Sequence, residues 1–519
     1  MAQERVKYDV IVVGAGNGGL SAAAALAKAG KKVLVLEKHN LPGGCATSFC
    51  RGRFEFEATL HEMCQMGDGE KKGAVRRLLT DEYGLDVDWV PVEEAFRSVN
   101  RDPETGFDVT MPVGVEAFLD EMEKAVPGSR PSMETVMELA RMIGDGVDWL
   151  AGYHNEPGGL AKISMLFKWA DLMKTVPVPT DEMLRRIGVP DKAREIFESY
   201  WDYISADSAH MSFAVYAFMT YTYLTQKPWI AKERSHEIAL AFDKRIRELG
   251  GDIWYNAEVS RIDIRGGRVR GVSLTDETYL PCDCVMSNLM PHVVFGRMVD
   301  PMEVPKRERQ LMNARTLGQS CLTVYLGLDI PYEDLGFRAY DTFVRSTGDT
   351  VKQYESFSSL ETHKDYCVTV INEVIPDCTR PGTSMVQFSK FFTGDVFKDV
   401  TPETYFRVKD RIAEETVRDF EEQFGVTLRG HIEEIVVASP ATWARYLGTP
   451  GGDVYGYEPR DFDGMFPRVQ SGHKLDYTVK GLRFCGGHGT QMDGYSQAYL
   501  SGAEQARYML QEMGKGGRK

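Results

Sequence analysis

A glycine-rich turn near the start of the chain restricts the fold more than any other segment. Tyr8–Val13 has the β-branched composition of a buried strand, and Gly14–Gly19, which follows it, reads G-A-G-N-G-G and fits G-x-G-x-x-G. Leu20–Ala29 is rich in Ala and Leu, and Lys32–Leu36 is a second apolar run that ends at Glu37. This order predicts a strand, a helix and a second strand: the βαβ unit of an α/β fold.

The spacing of the glycines predicts a bound dinucleotide. Gly14 permits the tight turn, Gly16 lets the backbone approach a pyrophosphate, and Gly19 allows close packing of helix on strand. The N-terminus of the helix stabilises the anion. Glu37 is placed to accept a hydrogen bond from a ribose hydroxyl and disfavours a 2′-phosphate, so the pattern favours FAD or NAD over NADP.

Composition excludes several other classes of protein. The formal net charge of −15 argues against nucleic acid as a partner, because phosphate binding needs clustered Lys and Arg. The nine cysteines have no metal-ligand spacing, and an odd number fits a reducing compartment. No secretory signal is visible, and no apolar run approaches the roughly 18 residues of a membrane span. We therefore expect a cytoplasmic protein, with peripheral contact to the cytoplasmic face of a membrane left open.

The periodicity and composition of the sequence change several times along the chain. Residues from about 115 to 245 have helical periodicity and are rich in Met and aromatic side chains, and strand-like runs recur from about 318 to 395. We predict five segments: 1–110, 236–295 and 470–519 build the cofactor domain, 111–235 is a helical substrate or lid region, and 296–469 is a substrate domain with an antiparallel sheet.

Several further segments, in the expected order, resemble the large flavoprotein superfamily with a glutathione-reductase-like FAD fold. Gly43–Ser48 is similar to its G-G-x-x-x-S segment, and Asn256–Val259 to the strand whose valine faces adenine. Cys282–Asn288 is similar to the segment that closes the flavin domain, and Phe484–Gly494 to the C-terminal flavin loop. The resemblance implies an α/β fold: a Rossmann FAD-binding domain with an inserted α+β substrate domain, made of a mixed or antiparallel sheet and a helical lid. The FAD-binding residues it implies are Gly14, Gly16, Asn17, Gly18, Gly19, Glu37, Lys38, Gly43, Gly44, Ala46, Thr47, Ser48, Val259, Asn288, Gly486, Asp493 and Gly494.

Within the superfamily the chain most resembles the phytoene desaturase, carotenoid isomerase and retinol saturase group. Gly43–Phe49 followed by Phe56–His61 is similar to the saturase pattern G-G-C-x-H-T-F then F-D-T-G-I-H, and Asn372–Gly382 to the group's N-x-x-x-P-x-x-x-x-P-x-G stretch. The chain departs at Ala58 and Gln497, where the group commonly has glycine. The resemblance implies an FAD-dependent enzyme that saturates, desaturates or isomerises C=C bonds of an apolar polyene, isoprenoid or lipid-like substrate.

Four side chains are candidates for proton transfer beside the flavin: His61, His488, Asp493 and Tyr499. His61 matches the group's F-x-x-x-x-H position. Glu62 is set aside as its partner, because adjacent residues of a strand point to opposite faces. Gly266–Gly271 precedes a strand and is interpreted as a hairpin turn, so NAD(P)H would visit the flavin pocket directly, or a quinone or another carrier would exchange the electrons.

Two other functions remain open from the sequence. The same fold serves amine and amino-acid oxidases, and it also serves non-enzymatic prenyl- or lipid-binding proteins. Ile163–Leu184 mixes apolar bulk with lysines, and we interpret it as a lid helix or as an interfacial helix that docks on a membrane.

Overall fold

A computed structural model of the protein describes residues 7–153, 158–169, 174–361, 363–459, 478–488 and 494–516. Its first sheet has five parallel strands and contains the predicted βαβ unit. The spatial order of these strands is Leu482–Phe484, Val285–Ser287, Val10–Val13, Val33–Leu36 and Asp252–Trp254.

The βαβ prediction is confirmed. Val10–Val13 pairs in parallel with Val33–Leu36, and the helix Asn17–Lys28 connects the two strands. All residues of both strands are buried, as expected for a parallel sheet covered on both faces. The helix Asn17–Lys28 packs on the C-terminal helix Tyr495–Gly516, so the two ends of the chain meet at the glycine-rich turn.

The second large sheet has seven strands. Two of them, Glu94–Asn100 and Asp341–Arg345, are parallel neighbours, whereas every other pair is antiparallel. The mixed sheet expected for the substrate domain is thus present. Its spatial order is Ile432–Ala438, Ser320–Leu328, Ser384–Phe392, Tyr366–Thr369, Asp341–Arg345, Glu94–Asn100 and Phe107–Pro112.

The described residues also form three smaller sheets. Val259–Arg265, Arg268–Leu274 and Tyr279–Pro281 form an antiparallel sheet, which confirms a hairpin turn at Gly266–Gly267. The two remaining pairs are Phe49–Arg51 with Phe54–Phe56, and Trp89–Pro91 with Trp229–Ala231.

Helices cover the sheets and fill the region between about 115 and 250. The longer ones are Asn17–Lys28, Val115–Ala125, Arg130–Ala151, Gly159–Lys168, Thr180–Ile187, Asp191–Phe197, Phe213–Gln226, Arg234–Glu248, Lys306–Ala314, Thr350–Ser356, Pro402–Phe424, Pro440–Leu447 and Tyr495–Gly516. Shorter helical turns are Gly69–Lys71, Ala74–Arg76, Arg77–Glu82, Glu198–Ile204, Pro291–Val293, Val294–Met298, Tyr332–Asp334, Ile371–Glu373, Pro376–Cys378, Arg429–His431 and Pro450–Gly452.

The predicted division at residue 110 does not coincide with a division between sheets. Glu94–Asn100 and Phe107–Pro112 fall in the segment assigned to the cofactor domain, yet they form one edge of the seven-stranded sheet. The physical reason is that strand pairing decides sheet membership, and their partner, Asp341–Arg345, lies far along the chain. No helix in the described part of the chain is long and apolar enough to cross a membrane.

Candidate flavin site and adjoining cavity

One elongated cavity of about 590 Å³ runs between the parallel sheet and the seven-stranded sheet. At one end it follows the turn after the first strand and the end of the second strand; at the other it is walled by helix Phe213–Gln226 and by strands of the seven-stranded sheet. Its volume is in the range of ligand cavities, roughly 300–1,000 Å³. A site at the carboxyl ends of parallel strands is where α/β sheets bind their ligands.

The glycine-rich turn beside this cavity has no space for side chains at Gly16 and Gly19. A Cβ on Gly16 would lie 2.4 Å from Nδ2 of Asn288, and one on Gly19 would lie 2.1 Å from the carbonyl oxygen of Gly14. Gly14 has a φ of 94°, which favours glycine. The Gly19 amide donates to Oδ1 of Asn288 at 3.1 Å, fixing the turn to the strand Val285–Ser287. Gly19 therefore serves the packing that the spacing predicted.

An anion fits at this turn. The helix Asn17–Lys28 begins at the cavity, its first turn contains no acidic residue, and Gly16, Asn17 and Gly18 line the cavity wall. Unpaired amides and the positive end of the helix dipole are what a pyrophosphate requires. The geometry therefore accepts the diphosphate of FAD.

The residues predicted to hold the nucleoside also line the cavity. Glu37 is buried, and its two carboxylate oxygens accept from the amides of Ala15 at 2.7 Å and His39 at 2.9 Å. Each oxygen has a second lone pair, so a ribose hydroxyl can still donate to it. Lys38 and Val259 face the same end of the cavity, and burial lowers the pKa of Lys38.

The second glycine pair lies beside the first. Gly43–Gly44 lines the cavity, but Ala46, Thr47 and Ser48 are not among its described lining residues. The Thr47 hydroxyl donates to the Gly44 carbonyl at 2.9 Å, and the Ser48 hydroxyl donates to Glu55 at 2.6 Å. Thr47 and Ser48 thus direct their hydroxyl groups to other protein atoms. Contact of Ala46, Thr47 and Ser48 with a cofactor stays a prediction.

The C-terminal loop brings the last predicted residues to the cavity. Gly486, with a φ of 95°, His488 and Gly494 all line it. A Cβ on Gly18 would lie 2.5 Å from the Gly486 amide nitrogen. The backbone of the glycine-rich turn therefore packs directly against the backbone of the C-terminal loop. Asp493 lies outside the described residues.

Tyr499 occupies a different place from the one predicted. It is fully buried between helices; its hydroxyl donates to Oδ1 of Asn17 at 3.1 Å, and its ring stacks on Phe242 at 5.5 Å. It does not belong to the described lining of the cavity. A catalytic role for Tyr499 therefore has no support in the geometry, because helix packing already uses both its ring and its hydroxyl.

A buried polar cluster surrounds His61, and of its members His61 and Tyr203 line the cavity. Nδ1 of His61 lies 3.2 Å from Oδ1 of Asp341, 2.8 Å from the Tyr203 hydroxyl and 3.0 Å from the Thr369 hydroxyl. The Tyr203 hydroxyl also donates to Asp341, so its oxygen is free to accept from Nδ1–H. Among the described residues Nε2 of His61 has no hydrogen-bond partner, and His61 lines the cavity. Fixing the proton on Nδ1 leaves the lone pair of a neutral ring on Nε2.

Comparison with known proteins identifies the family. The profile described as "Flavin containing amine oxidoreductase" matches residues 18–510. The chain belongs to this family. It is 25% identical over 485 residues to an all-trans-retinol 13,14-reductase of Danio rerio, covering 86% of this chain and 77% of that protein. It is 28% identical over 341 residues to a zeta-carotene-forming phytoene desaturase of Myxococcus xanthus, covering 63% and 61%.

The fold is shared with solved structures. An oxidoreductase from Methanosarcina mazei superposes with a TM-score of 0.63 at 16% identity, covering 96% of this chain and 99% of that one. The predicted fold class and the resemblance to desaturases and retinol saturases are confirmed. This flavin oxidoreductase binds FAD, and the glycine turns described above fit that cofactor.

Glu62 lies on the same cavity wall as His61 in this flavin oxidoreductase. The expectation that the two residues face opposite ways was wrong, because positions 61 and 62 are outside any strand and the alternation of strand side chains does not apply. Burial raises the pKa of the Glu62 carboxyl well above its usual range, and nearby Asp341 acts in the same direction.

Three members of the cluster escaped the sequence analysis: Asp341, Tyr203 and Thr369. Asp341 begins a strand of the seven-stranded sheet and Thr369 ends the neighbouring strand, directly opposite in the register. Tyr203 belongs to the helical turn Glu198–Ile204. No local pattern marks them, since only the pairing of distant strands brings them to His61.

Proposed function

We propose that this protein is an FAD-dependent oxidoreductase that saturates, desaturates or isomerises C=C bonds of an apolar polyene, isoprenoid or lipid-like substrate. The observation that carries the proposal is the single cavity that joins the glycine turns to an apolar chamber walled at one point by His61 and Glu62. The relatives named for retinol reduction and phytoene desaturation support the same substrate class.

The chamber beyond the flavin site suits an apolar chain. Apolar side chains of the helix Phe213–Gln226 and of the substrate-domain sheet contribute to its wall, and the carboxyl groups of Glu62 and Asp453 line the cavity as well. Ligand cavities are typically apolar with a few placed polar groups. The apolar lining residues include Ile204, Val215, Phe218, Met219, Phe391 and Val454.

The chemistry of a C=C bond needs a hydride acceptor or donor and a group that exchanges a proton. When bound, FAD supplies the hydride chemistry. His61 holds its Nδ1 proton against Asp341 and Tyr203, so Nε2 is oriented as a proton acceptor at the cavity wall. Burial of this cluster excludes bulk water from the transfer.

The electron partner is the second part of the proposal. Gly266–Gly271 is a hairpin in the structure, so it offers no dinucleotide turn. We propose that NAD(P)H or a quinone exchanges electrons by entering the same cavity, which Lys38 and His39 also line.

An amine oxidase is the second candidate, and one observation favours it. Glu62 lies among Tyr200, Tyr203 and Tyr223, and a carboxylate among aromatic rings attracts an ammonium ion. This would require Glu62 to be ionised, whereas burial favours its neutral form.

We further propose a cytoplasmic location with peripheral membrane contact. The helix Gly159–Lys168 exposes Leu160 by 85%, Ile163 by 54% and Phe167 by 82%. An apolar face of this kind beside exposed Lys168 is suited to the headgroup boundary of an anionic bilayer, from which an apolar substrate would be drawn.

The test is an anaerobic visible spectrum of the purified protein before and after addition of NADH, NADPH or dithionite, followed by all-trans-retinol, a carotene or an aliphatic amine. Reduced flavin that is reoxidised by a polyene supports saturation. Oxidised flavin bleached by the amine alone would replace the proposal with the oxidase, and a protein without flavin would overturn both.

A further inference from the structure

Two carboxyl groups lie near His61 in different surroundings: Glu62 lines the cavity, whereas Asp341 contacts Nδ1 of His61 and is not among the described lining residues. The difference concerns which of them keeps a proton at neutral pH. Environments that separate two neighbouring titratable groups commonly mark the acid and the base of an active site.

Asp341 is surrounded by hydrogen-bond donors. Its two oxygens accept from the hydroxyl of Tyr203 and from the hydroxyl of Thr369 at 3.3 Å, and Oδ1 lies 3.2 Å from Nδ1 of His61. Asp341 and the oxygen of Tyr203 share the single Nδ1 hydrogen of His61. These contacts hold the His61 ring in one orientation.

Glu62 has a single weak donor. Oε1 accepts from the hydroxyl of Tyr200 at 3.2 Å, and the same hydroxyl also donates to the carbonyl oxygen of Ala95 in a shorter contact, so Glu62 receives only part of one hydrogen bond. Oε2 is buried and has no hydrogen-bond partner within the described residues.

The groups around Glu62 also disfavour its charge. The titratable side chains that interact with it are Asp341 and four tyrosines, whose own pKa values are raised by burial and by the acids: Tyr200, Tyr203, Tyr223 and Tyr340. The buried cation Arg345 is paired with Asp202. The nearby carboxyl group of Asp341 disfavours a negative charge on Glu62.

We propose that Glu62 is a neutral carboxylic acid that donates a proton into the cavity, while His61, oriented by Asp341, is the neighbouring proton acceptor. The assignment rests on the proposed C=C chemistry. In saturation the C=C π bond would break: FAD, once bound and reduced by NAD(P)H, would supply a hydride to one carbon, and Glu62 would supply the proton to the other. The Glu62 carboxylate then regains a proton from solvent.

Infrared difference spectroscopy tests the protonation without any substrate. At pH 7 the spectrum of wild-type holoenzyme minus Glu62→Gln should contain the C=O band of a protonated carboxyl. Glu198 provides a matched control: burial raises its pKa to about 8, and it is absent from the described lining of the cavity. Glu198→Gln should remove a separate protonated-carboxyl band. If the Glu62→Gln substitution removes no protonated-carboxyl band, the proposal is overturned.

Rapid mixing of reduced holoenzyme with a polyene accepted by the wild type tests the donor role. Glu62→Gln should slow flavin reoxidation by about 100-fold or more, a typical contribution of a general acid, with FAD content and flavin reduction unchanged. In the wild type, reoxidation should slow as pH rises and Glu62 ionises, and this dependence should vanish in the variant. Equal rates for Glu62→Gln and wild type refute the donor role. A wild-type flavin that no polyene reoxidises refutes instead the proposed function.

Discussion

The hydroxyl of Tyr203 lies 2.8 Å from Nδ1 of His61, although 142 positions separate the two residues. The contact joins the loop after the strand Phe54–Phe56 to the helical turn Glu198–Ile204 of the inserted region. The polar cluster around His61 is therefore assembled by both parts of the molecule, and it forms only when they are packed together.

Removing the Tyr203 hydroxyl should impair catalysis without loss of flavin. Tyr203→Phe leaves Nδ1 of His61 and Asp341 with one partner fewer, so the orientation of the ring loosens. We expect polyene turnover to fall about 10-fold, less than the roughly 100-fold or more that an acid–base group itself contributes, because Tyr203 acts only by orienting His61. Tyr153→Phe, at a tyrosine 43% exposed, is the control. Unchanged turnover in Tyr203→Phe would show that the cluster does not orient His61.

Gly16→Val should abolish FAD binding. Any Cβ at this position meets Nδ2 of Asn288 at 2.4 Å, and a β-branched side chain also fills the approach of the pyrophosphate. Gly296→Ala is the control, since a Cβ there has no neighbour within 4 Å. The measurement is the ratio of flavin absorbance to protein after gel filtration. Stoichiometric FAD in folded Gly16→Val would contradict the assigned site.

Stability should increase as the pH is lowered from about 8 to 5. Burial raises the pKa of Glu198 to about 8 and that of Asp453 to about 7, so the native state binds protons that the unfolded chain has released. Between the unfolded and folded pKa of one such group, the free energy of unfolding changes by up to about 1.4 kcal/mol per pH unit. Stability is thus gained as pH falls through the folded value and levels off below the unfolded one.

The variant that isolates this effect is Glu198→Gln, which cannot titrate. Its midpoint of thermal unfolding should vary less between pH 8 and 5 than that of the wild type. Glu104→Gln, at an exposed glutamate, should retain the full slope. A wild-type slope in Glu198→Gln would show that this carboxyl is not protonated in the folded protein.

Binding to anionic vesicles should depend on the helix Gly159–Lys168. Leu160→Ser with Phe167→Ser removes two side chains that are more than four-fifths exposed, and we expect the vesicle-bound fraction in co-sedimentation to fall about 10-fold. Met302→Ser is the matched control, because Met302 is 91% exposed but lies outside this helix. If both variants sediment like the wild type, the helix is not the membrane contact.

Much of the cofactor site could be predicted because its signals are local. A glycine is needed at Gly16 and Gly19 by contacts with the turn and with Asn288, and Glu37 follows the strand that positions it. The motif therefore predicts the geometry directly. The predicted boundary at residue 110 was less accurate, because strand pairing places residues 94–112 in the substrate-domain sheet.

The sequence by itself determined the βαβ unit and the dinucleotide turn, because each depends on residues a few positions apart. FAD was predicted from a resemblance carried by segments spread along the chain. Only the tertiary structure decided the chemistry of the cavity wall. Asp341 reaches His61 across 280 positions, and Glu62 turns to the same side because its backbone is not in a strand. Such contacts follow from the pairing of distant strands, and the burial that accompanies them raises the pKa of the Glu62 carboxyl.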